Sequence, residues 1–358
     1  MPSVCQRHVV QMLTARQRSG LAARDIVHVM PRYDLDPDAL AAYRPDVREP
    51  SDFDEFWART IAQSRAVGGD VVVERVDTVL TTIDVFDVTF PGFAGDPVKA
   101  WLHVPKADAG ERDATAALPT VIEFNGYGGG RGLATERLGW ASAGYAHLFM
   151  DTRGQGSTWG APGATPDPHG TGPSTNGFMT RGIESPDDYF YRRVFTDAVR
   201  LVDAARTLSV VDGDRIAVTG GSQGGGITLA AGALSDGLVA VMPDVPFLCH
   251  FERAIGMTDR EPYYEVVRYL SVHRGATAGV LETLSYFDGV NFARRLQAPA
   301  LFSVALLDPI CPPSTVYAAF NHIDRDDKQI RVYDFNEHEG GQAFQWEEQA
   351  RFLAERLA

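Results

Sequence analysis

"VTGGSQGGGITLAAG", residues 218–232, is the stretch whose reading decides the fold. An apolar run ends at Val218, a glycine-dense turn follows, and "ITLAAG" continues as a helix-like segment. Two chemistries use a strand–turn–helix of this kind. Gly220-Gly221-Ser222-Gln223-Gly224 matches G-x-S-x-G, the elbow that lifts a nucleophilic serine clear of a sheet in a strained backbone conformation. Thr219, Gly220, Gly224 and Gly226 match T-G-x-x-x-G-x-G, in which the turn cradles a cofactor phosphate. A tight turn without chemistry is the third reading.

Outward from that turn, the chain alternates. Upstream, "PTVIEFNG" reads as a buried strand, "ATERLGWASAG" as a helix and "YAHLFMDTRG" as a strand. "YRRVFTDAVRLVDAARTL" reads as an amphipathic helix with Val194, Ala198, Leu201, Val202 and Ala205 on one stripe. Downstream, "GLVAVMPDVP", "PALFSVALLD" and "KQIRVYDF" read as strands, and residues 250–297 as mostly helical. "PSTVYAAFNHI" and "GQAFQWEEQARFLAERLA" are helices. Nearer the N-terminus, "DVVVERVDTV", "IDVFDVTF" and "VKAWLHVPK" suit an antiparallel meander at a sheet edge. The fold class is therefore α/β: a mostly parallel sheet with antiparallel N-terminal strands and helices on both faces. One domain over 30–358 is expected, with a long inserted loop at about 154–186 acting as a lid or an oligomer contact.

The cofactor reading meets two obstacles. Asp244 lies 18 residues after Gly226, near where an acid would bind a ribose. That fingerprint belongs on the first strand of its domain, however, and here several strands precede it. Reductases with the T-G-x-x-x-G-x-G turn also use a Tyr-x-x-x-Lys pair. The only lysines are Lys99, Lys106 and Lys328, and none has a tyrosine four positions before it.

A hydrolase requires the order serine, acid, histidine, with the later two in loops after later strands. Asp308 follows "LFSVALL", and His338 follows "IRVYDF". Asp308 suits the residue that orients an imidazole, and His338 the base that takes the Ser222 proton. Of the other histidines, only His322 lies between the acid and the C-terminus, at the end of a helix. The oxyanion needs two backbone donors. Gln223 N–H, at the helix start, supplies one, and Tyr127 N–H of "IEFNGYGGGRG" is the choice for the other. Gly220 and Gly224 give the turn its room, and Asp151 with Arg153 of "DTRGQG" is expected to brace the site as a charge pair.

Composition narrows the partners. The chain has 358 residues, 44% of them hydrophobic, and a formal net charge of −14, which repels phosphate backbones and excludes nucleic acid as a favoured partner. No apolar run reaches the ~18 residues of a membrane span. Cys5, Cys249 and Cys311 are odd in number and widely spaced, so neither a disulfide framework nor a zinc ribbon fits. A reducing cytoplasm is expected, with no cofactor and no metal. Residues 1–29 are arginine-rich, carry Asp25 as their only acid and lack the apolar centre of a secretory signal. They read as a non-native or disordered extension before a start at Met30, with a transit-like peptide as the other reading.

Together "RGQG" (153–156), "GGSQGG" (220–225) and "HE" (338–339) resemble the acetyl xylan esterase and cephalosporin-C deacetylase group, carbohydrate esterase family seven of the α/β hydrolases. "PSDFDEFW", "GFMTRGI", "YRRVFTDAVR", "DVPFLCHF" and "YFDGVNFA" extend the resemblance over about residues 30–358. It implies a serine esterase that deacetylates xylo-oligosaccharides and cephalosporin-C-like esters, with Ser222, Asp308 and His338 as triad and Tyr127 and Gln223 as donors. It also implies a cytoplasmic homo-oligomer, often a hexamer, with the loop after "RGQG" at subunit contacts. Many members have His-Gly-Tyr where this chain has Asn125-Gly126-Tyr127. A general short-chain carboxylesterase is the alternative, and a nicotinamide reductase a distant one.

Overall fold

The computed structural model describes residues 33–106, 116–170, 172 and 174–358. The expectation for residues 1–29 lies outside the described residues. In chain order the elements are α1 (Pro37–Ala41), α2 (Phe53–Val67), β1 (Val72–Val76), β2 (Ile83–Pro91), β3 (Pro97–Pro105), β4 (Leu118–Phe124), α3 (Gly139–Ser142), β5 (Ala146–Met150), α4 (Phe190–Ala205), β6 (Val211–Gly221) and α5 (Gln223–Leu234). There follow β7 (Leu238–Asp244), α6 (Phe251–Met257), α7 (Tyr263–Val272), α8 (Thr277–Ser285), α9 (Gly289–Ala293), β8 (Ala300–Ala305), α10 (Pro313–Asn321), β9 (Lys328–Tyr333) and α11 (Gln342–Leu357).

The strands form one sheet in the order β1-β2-β3-β5-β4-β6-β7-β8-β9. β1, β2 and β3 pair antiparallel and join β5 antiparallel, while every pairing from β5 to β9 is parallel. The pleat sends neighbouring residues to opposite faces. Val121, Ala217, Ala240 and Leu301 pack towards Trp140 of α3 and Phe352 and Leu353 of α11. Their neighbours Ile122, Val218, Val241 and Phe302 join the larger core that includes α4, α5 and α9. Burial on both faces is why the parallel strands read as unbroken apolar runs. No helix among the described residues is long and apolar enough to cross a membrane.

Two elements depart from the sequence reading. The helix expected over "ATERLGWASAG" shrinks to α3, because Arg137 adopts φ 54° and the chain before it is tied to the long loop by Gly130 N–H to Ala161 O (2.8 Å) and Gly132 N–H to Pro162 O (3.1 Å). Helix α4 buries its expected stripe, but Arg192, Arg193 and Asp197 are buried as well. Its polar side faces carboxylates and loop carbonyls rather than water: Arg193 holds Asp167 at 2.8 and 3.0 Å, and Asp197 holds Arg153.

Candidate active site

Parallel α/β sheets gather their loops at the carboxyl ends of the strands. Here β6 leads to Ser222, β8 to Asp308, β9 to His338, β4 to Tyr127 and β5 to Arg153. Ser222 itself has φ 55° and ψ −117°, a costly conformation for a residue with a side chain. Three backbone bonds hold it there: its N–H donates to Asp244 O at 3.0 Å, and its carbonyl accepts from Phe247 N–H at 2.9 Å and from Gly226 N–H at 3.1 Å.

The glycines of the opening stretch have distinct causes. A Cβ at Gly224 would sit 2.1 Å from Phe124 O, and one at Gly220 would sit 2.6 Å from the Gly224 carbonyl. A Cβ at Gly226 would sit 2.4 Å from Phe247 O. Gly221 is different, since a Cβ there meets only Asp244 Oδ2 at 3.9 Å. Thr219 donates its hydroxyl to Met242 O at 2.9 Å. The three glycines of the phosphate-cradle pattern are thus accounted for by helix α5 packing hard against β4 and the segment after β7, and Thr219 by its bond to β7. Asp244, the acid that a phosphate reading assigns to a ribose, lies beneath the elbow. It accepts the Ser303 hydroxyl, and burial pushes its carboxyl up to about 6. Gly224→Ala is expected to cost about 1–3 kcal/mol or more of stability through overpacking against β4. Denaturant melts check this, and a variant as stable as the parent contradicts it.

Ser222, His338 and Asp308 are brought into one hydrogen-bonded line. His338 Nε2 lies 2.9 Å from Ser222 Oγ, and His338 Nδ1 lies 2.8 Å from Asp308 Oδ2. Asp308 is buried, and its other oxygen accepts the N–H groups of Ile310 (2.8 Å) and Cys311 (2.9 Å). An ionised carboxylate only accepts, so Nδ1 carries the imidazole proton and Nε2 is left to accept from the serine hydroxyl. Asp308, Cys311 and His338 offer ligand atoms within 4.8 Å of one another. Burial pushes the Cys311 thiol well above its ordinary value. The Asp308–His338 hydrogen bond, meanwhile, occupies the atoms an ion would take. His322, the spare histidine, is remote in role: its Nδ1 bonds Ala318 O at 2.7 Å.

Around Tyr127 the loop is held on both sides. Gly126 N–H donates to Asn125 Oδ1 at 2.9 Å, and Gly128 N–H to Gln155 Oε1 at 2.7 Å. Among the described residues no acceptor takes the Tyr127 or Gln223 N–H. The Gln155 and Gln223 amides bond each other at 2.8 and 3.2 Å; Gln223 also donates to Asn125 O (3.2 Å) and accepts from the Tyr191 hydroxyl (2.9 Å). The two donor loops are therefore cross-linked by buried amides. The glycines after Tyr127 admit the chain's own long loop: a Cβ at Gly130 would lie 2.2 Å from Gly163 N.

The expected charge pair between Asp151 and Arg153 does not form. Arg153 instead grips Asp197 with two bonds (2.6 and 2.7 Å) and Asp96 with a third (2.9 Å). Asp151 accepts the N–H groups of Arg131 (2.9 Å) and Ala164 (2.5 Å). A guanidinium is satisfied best by a bidentate carboxylate, and α4 supplies one. Asp151 ties the long loop to the sheet through Ala164, and Arg153 faces the loop's Asp167 at 3.6 Å.

Sequence reasoning missed four contributors. Gln155 stood in the quoted "RGQG" without a role. Tyr33 donates its hydroxyl to the carbonyl of Asp308, and Asp34 accepts from Ser314 N–H (2.7 Å) and Arg253 (2.9 Å), so residues 33–34 strap the acid loop. Glu265, discussed below, had no local signal.

A parallel sheet with a strained serine elbow and an acid and a histidine after later strands is the α/β-hydrolase architecture. A puromycin hydrolase of 20% identity shares this fold, with a TM-score of 0.56 over 79% of this chain and 38% of that one. A sequence model described as acetyl xylan esterase (AXE1) matches residues 30–356. The chain belongs to the acetyl xylan esterase family and is a carboxylic ester hydrolase. The acetyl xylan esterase of a Paenibacillus species is 37% identical, with a TM-score of 0.81 over 90% of this chain and 99% of that one. Acetyl xylan esterase 1 of a Thermoanaerobacterium species is 30% identical, with a TM-score of 0.80 over 91% and 100%. Acetyl esterase Axe7A of Xylanibacter ruminicola is 27% identical over 311 residues, 82% of this chain; the chain spans 65% of that relative's length.

Proposed function

We propose that the protein is a serine acetyl esterase that deacetylates sugars, xylo-oligosaccharides among them, and cephalosporin-C-like esters, through an acyl-serine. The observation that carries this reading is the Ser222–His338–Asp308 line, at 2.9 and 2.8 Å, on a strained elbow. Ser222 Oγ attacks the acetyl carbonyl as His338 Nε2 takes its proton. The N–H groups of Tyr127 and Gln223 receive the oxyanion, and the positive end of α5 adds to their field. Collapse breaks the bond to the alkoxy oxygen, which takes the proton from His338 and leaves as the sugar hydroxyl. Water, deprotonated by the same histidine, then attacks the acetyl-serine, and acetate leaves as Ser222 regains its proton.

Initial rates on p-nitrophenyl acetate, butyrate and octanoate test the acyl class, with acetylated xylo-oligosaccharides as the natural counterpart. A steep fall in kcat/KM beyond acetate is expected, together with acetate release from the sugar. Rates that rise with chain length would assign a general carboxylesterase instead. Activity is expected to fall on acidification, since a protonated imidazole cannot act as a base.

A further inference from the structure

The proposed function uses the backbone of Tyr127 and leaves its side chain without a task. That side chain ends on a buried carboxylate. The hydroxyl donates to Glu265 of α7, 2.7 and 2.8 Å from its two oxygens, and accepts the N–H of Phe178 at 2.8 Å and of Gly177 at 3.3 Å. Glu265 Oε2 also accepts Met179 N–H at 3.1 Å. Glu265 is only 4% exposed, and burial raises its carboxyl above the ordinary carboxylate range.

Burying a carboxylate is costly even when it is hydrogen-bonded, and an apolar residue of similar size often packs as well or better. Stability alone therefore does not explain a glutamate here. What a carboxylate adds is direction, because a charge-assisted O–H···O bond is short and fixes the ring that carries the hydroxyl. The Tyr127 ring also packs edge-on against Phe178 (5.4 Å) and Phe247 (6.2 Å). Phe247 in turn donates its N–H to the Ser222 carbonyl. The residue whose N–H is proposed to receive the oxyanion is thus held at its ring by Glu265 and, through the N–H groups on either side of it, by Asn125 and Gln155.

We infer that Glu265 is a positioning residue for acyl transfer: through the Tyr127 hydroxyl it fixes the N–H that receives the oxyanion, and it locks that donor to residues 177–179 at the end of the long loop. This inference rests on the acyl-serine reading above. A donor displaced by a fraction of an ångström loses its grip on the transition state more than on the bound ester.

The test is Tyr127→Phe, which removes one hydroxyl and keeps the ring and the backbone donor. Tyr189→Phe is the control. It also loses a buried hydroxyl of this cluster, which donates at 3.0 Å to Met179 O and, among the described residues, makes no hydrogen bond to the donor loop or to Glu265. Both variants are compared by melting temperature, and by kcat and KM on p-nitrophenyl acetate, with active sites counted by organophosphate titration. A third readout is the affinity for an alkyl boronic acid, whose serine adduct places an oxygen where the oxyanion sits.

For Tyr127→Phe, kcat is expected to fall about 10- to 100-fold with KM within about threefold, and boronate affinity to fall in parallel. Tyr189→Phe is expected to lower the melting temperature and keep its kcat. A Tyr127→Phe enzyme that keeps kcat, or loses no more than the control, overturns the inference. Should Tyr127→Phe not fold, Glu265→Gln is read by the same criteria: unchanged kcat overturns, and lost kcat at constant KM supports. If organophosphate does not inactivate the parent at Ser222, the acyl-serine reading itself falls. If it does and the variants keep kcat, only the positioning role falls.

Discussion

Ser222→Ala is expected to lower kcat on p-nitrophenyl acetate by ~10³-fold or more, with the fold and the melting temperature retained. The size follows from the site's unity. Without Oγ, His338 has no proton to take and Asp308 no cation to stabilise, so what remains is the field of the two N–H donors. The neighbouring Cys311 thiol is no substitute, since burial holds it protonated. The elbow persists in the variant because its backbone bonds run to Asp244, Phe247 and Gly226 and do not involve the hydroxyl. A folded variant with more than about 1% of parental kcat contradicts the assignment.

Asp308→Asn is expected to be nearly as severe, about 10³- to 10⁴-fold in kcat, through the tautomer of His338. Asp308 Oδ1 faces two N–H donors, those of Ile310 and Cys311. A carboxamide will present its oxygen to those donors and its NH2 to the imidazole. His338 Nδ1 must then accept, the ring proton moves to Nε2, and the nitrogen facing Ser222 can no longer take a proton. Little loss of folded protein is expected, since the shape is unchanged. Steady-state kinetics on the purified variant check it, and a kcat within about tenfold of the parent contradicts the tautomer account.

How far the sequence anticipates this site follows from the range over which each residue is positioned. Ser222, Asp308 and His338 were legible because each needs only a strand and the loop at its end, and strands show in local apolar runs. The close-packed loop that holds Tyr127 was legible for a related reason, since glycines after a strand advertise close approach. What they admit, the chain's own 154–186 loop, was not visible. Asp151 and Arg153 invited a pairing because they are neighbours in sequence; a bidentate partner 44 residues from Arg153 won the guanidinium instead. Glu265 lies 138 residues from the tyrosine it holds, and Tyr33 lies 275 from the carbonyl it caps. Contacts of that length depend on how α7 and the N-terminal segment settle against the loops of the sheet, and no local pattern encodes it. The opening stretch shows the converse: two motifs overlap there, and the structure explains both sets of glycines by one packing requirement.

The most direct measurement is to trap the intermediate. The purified enzyme is mixed with p-nitrophenyl acetate, quenched in acid during turnover and digested for mass spectrometry, with organophosphate labelling in parallel. One acetyl group, or one phosphoryl group, is expected on the peptide carrying Ser222, and neither in Ser222→Ala. Ester hydrolysis at full rate with no adduct on that peptide, or with the label on another residue, would contradict the acyl-serine reading.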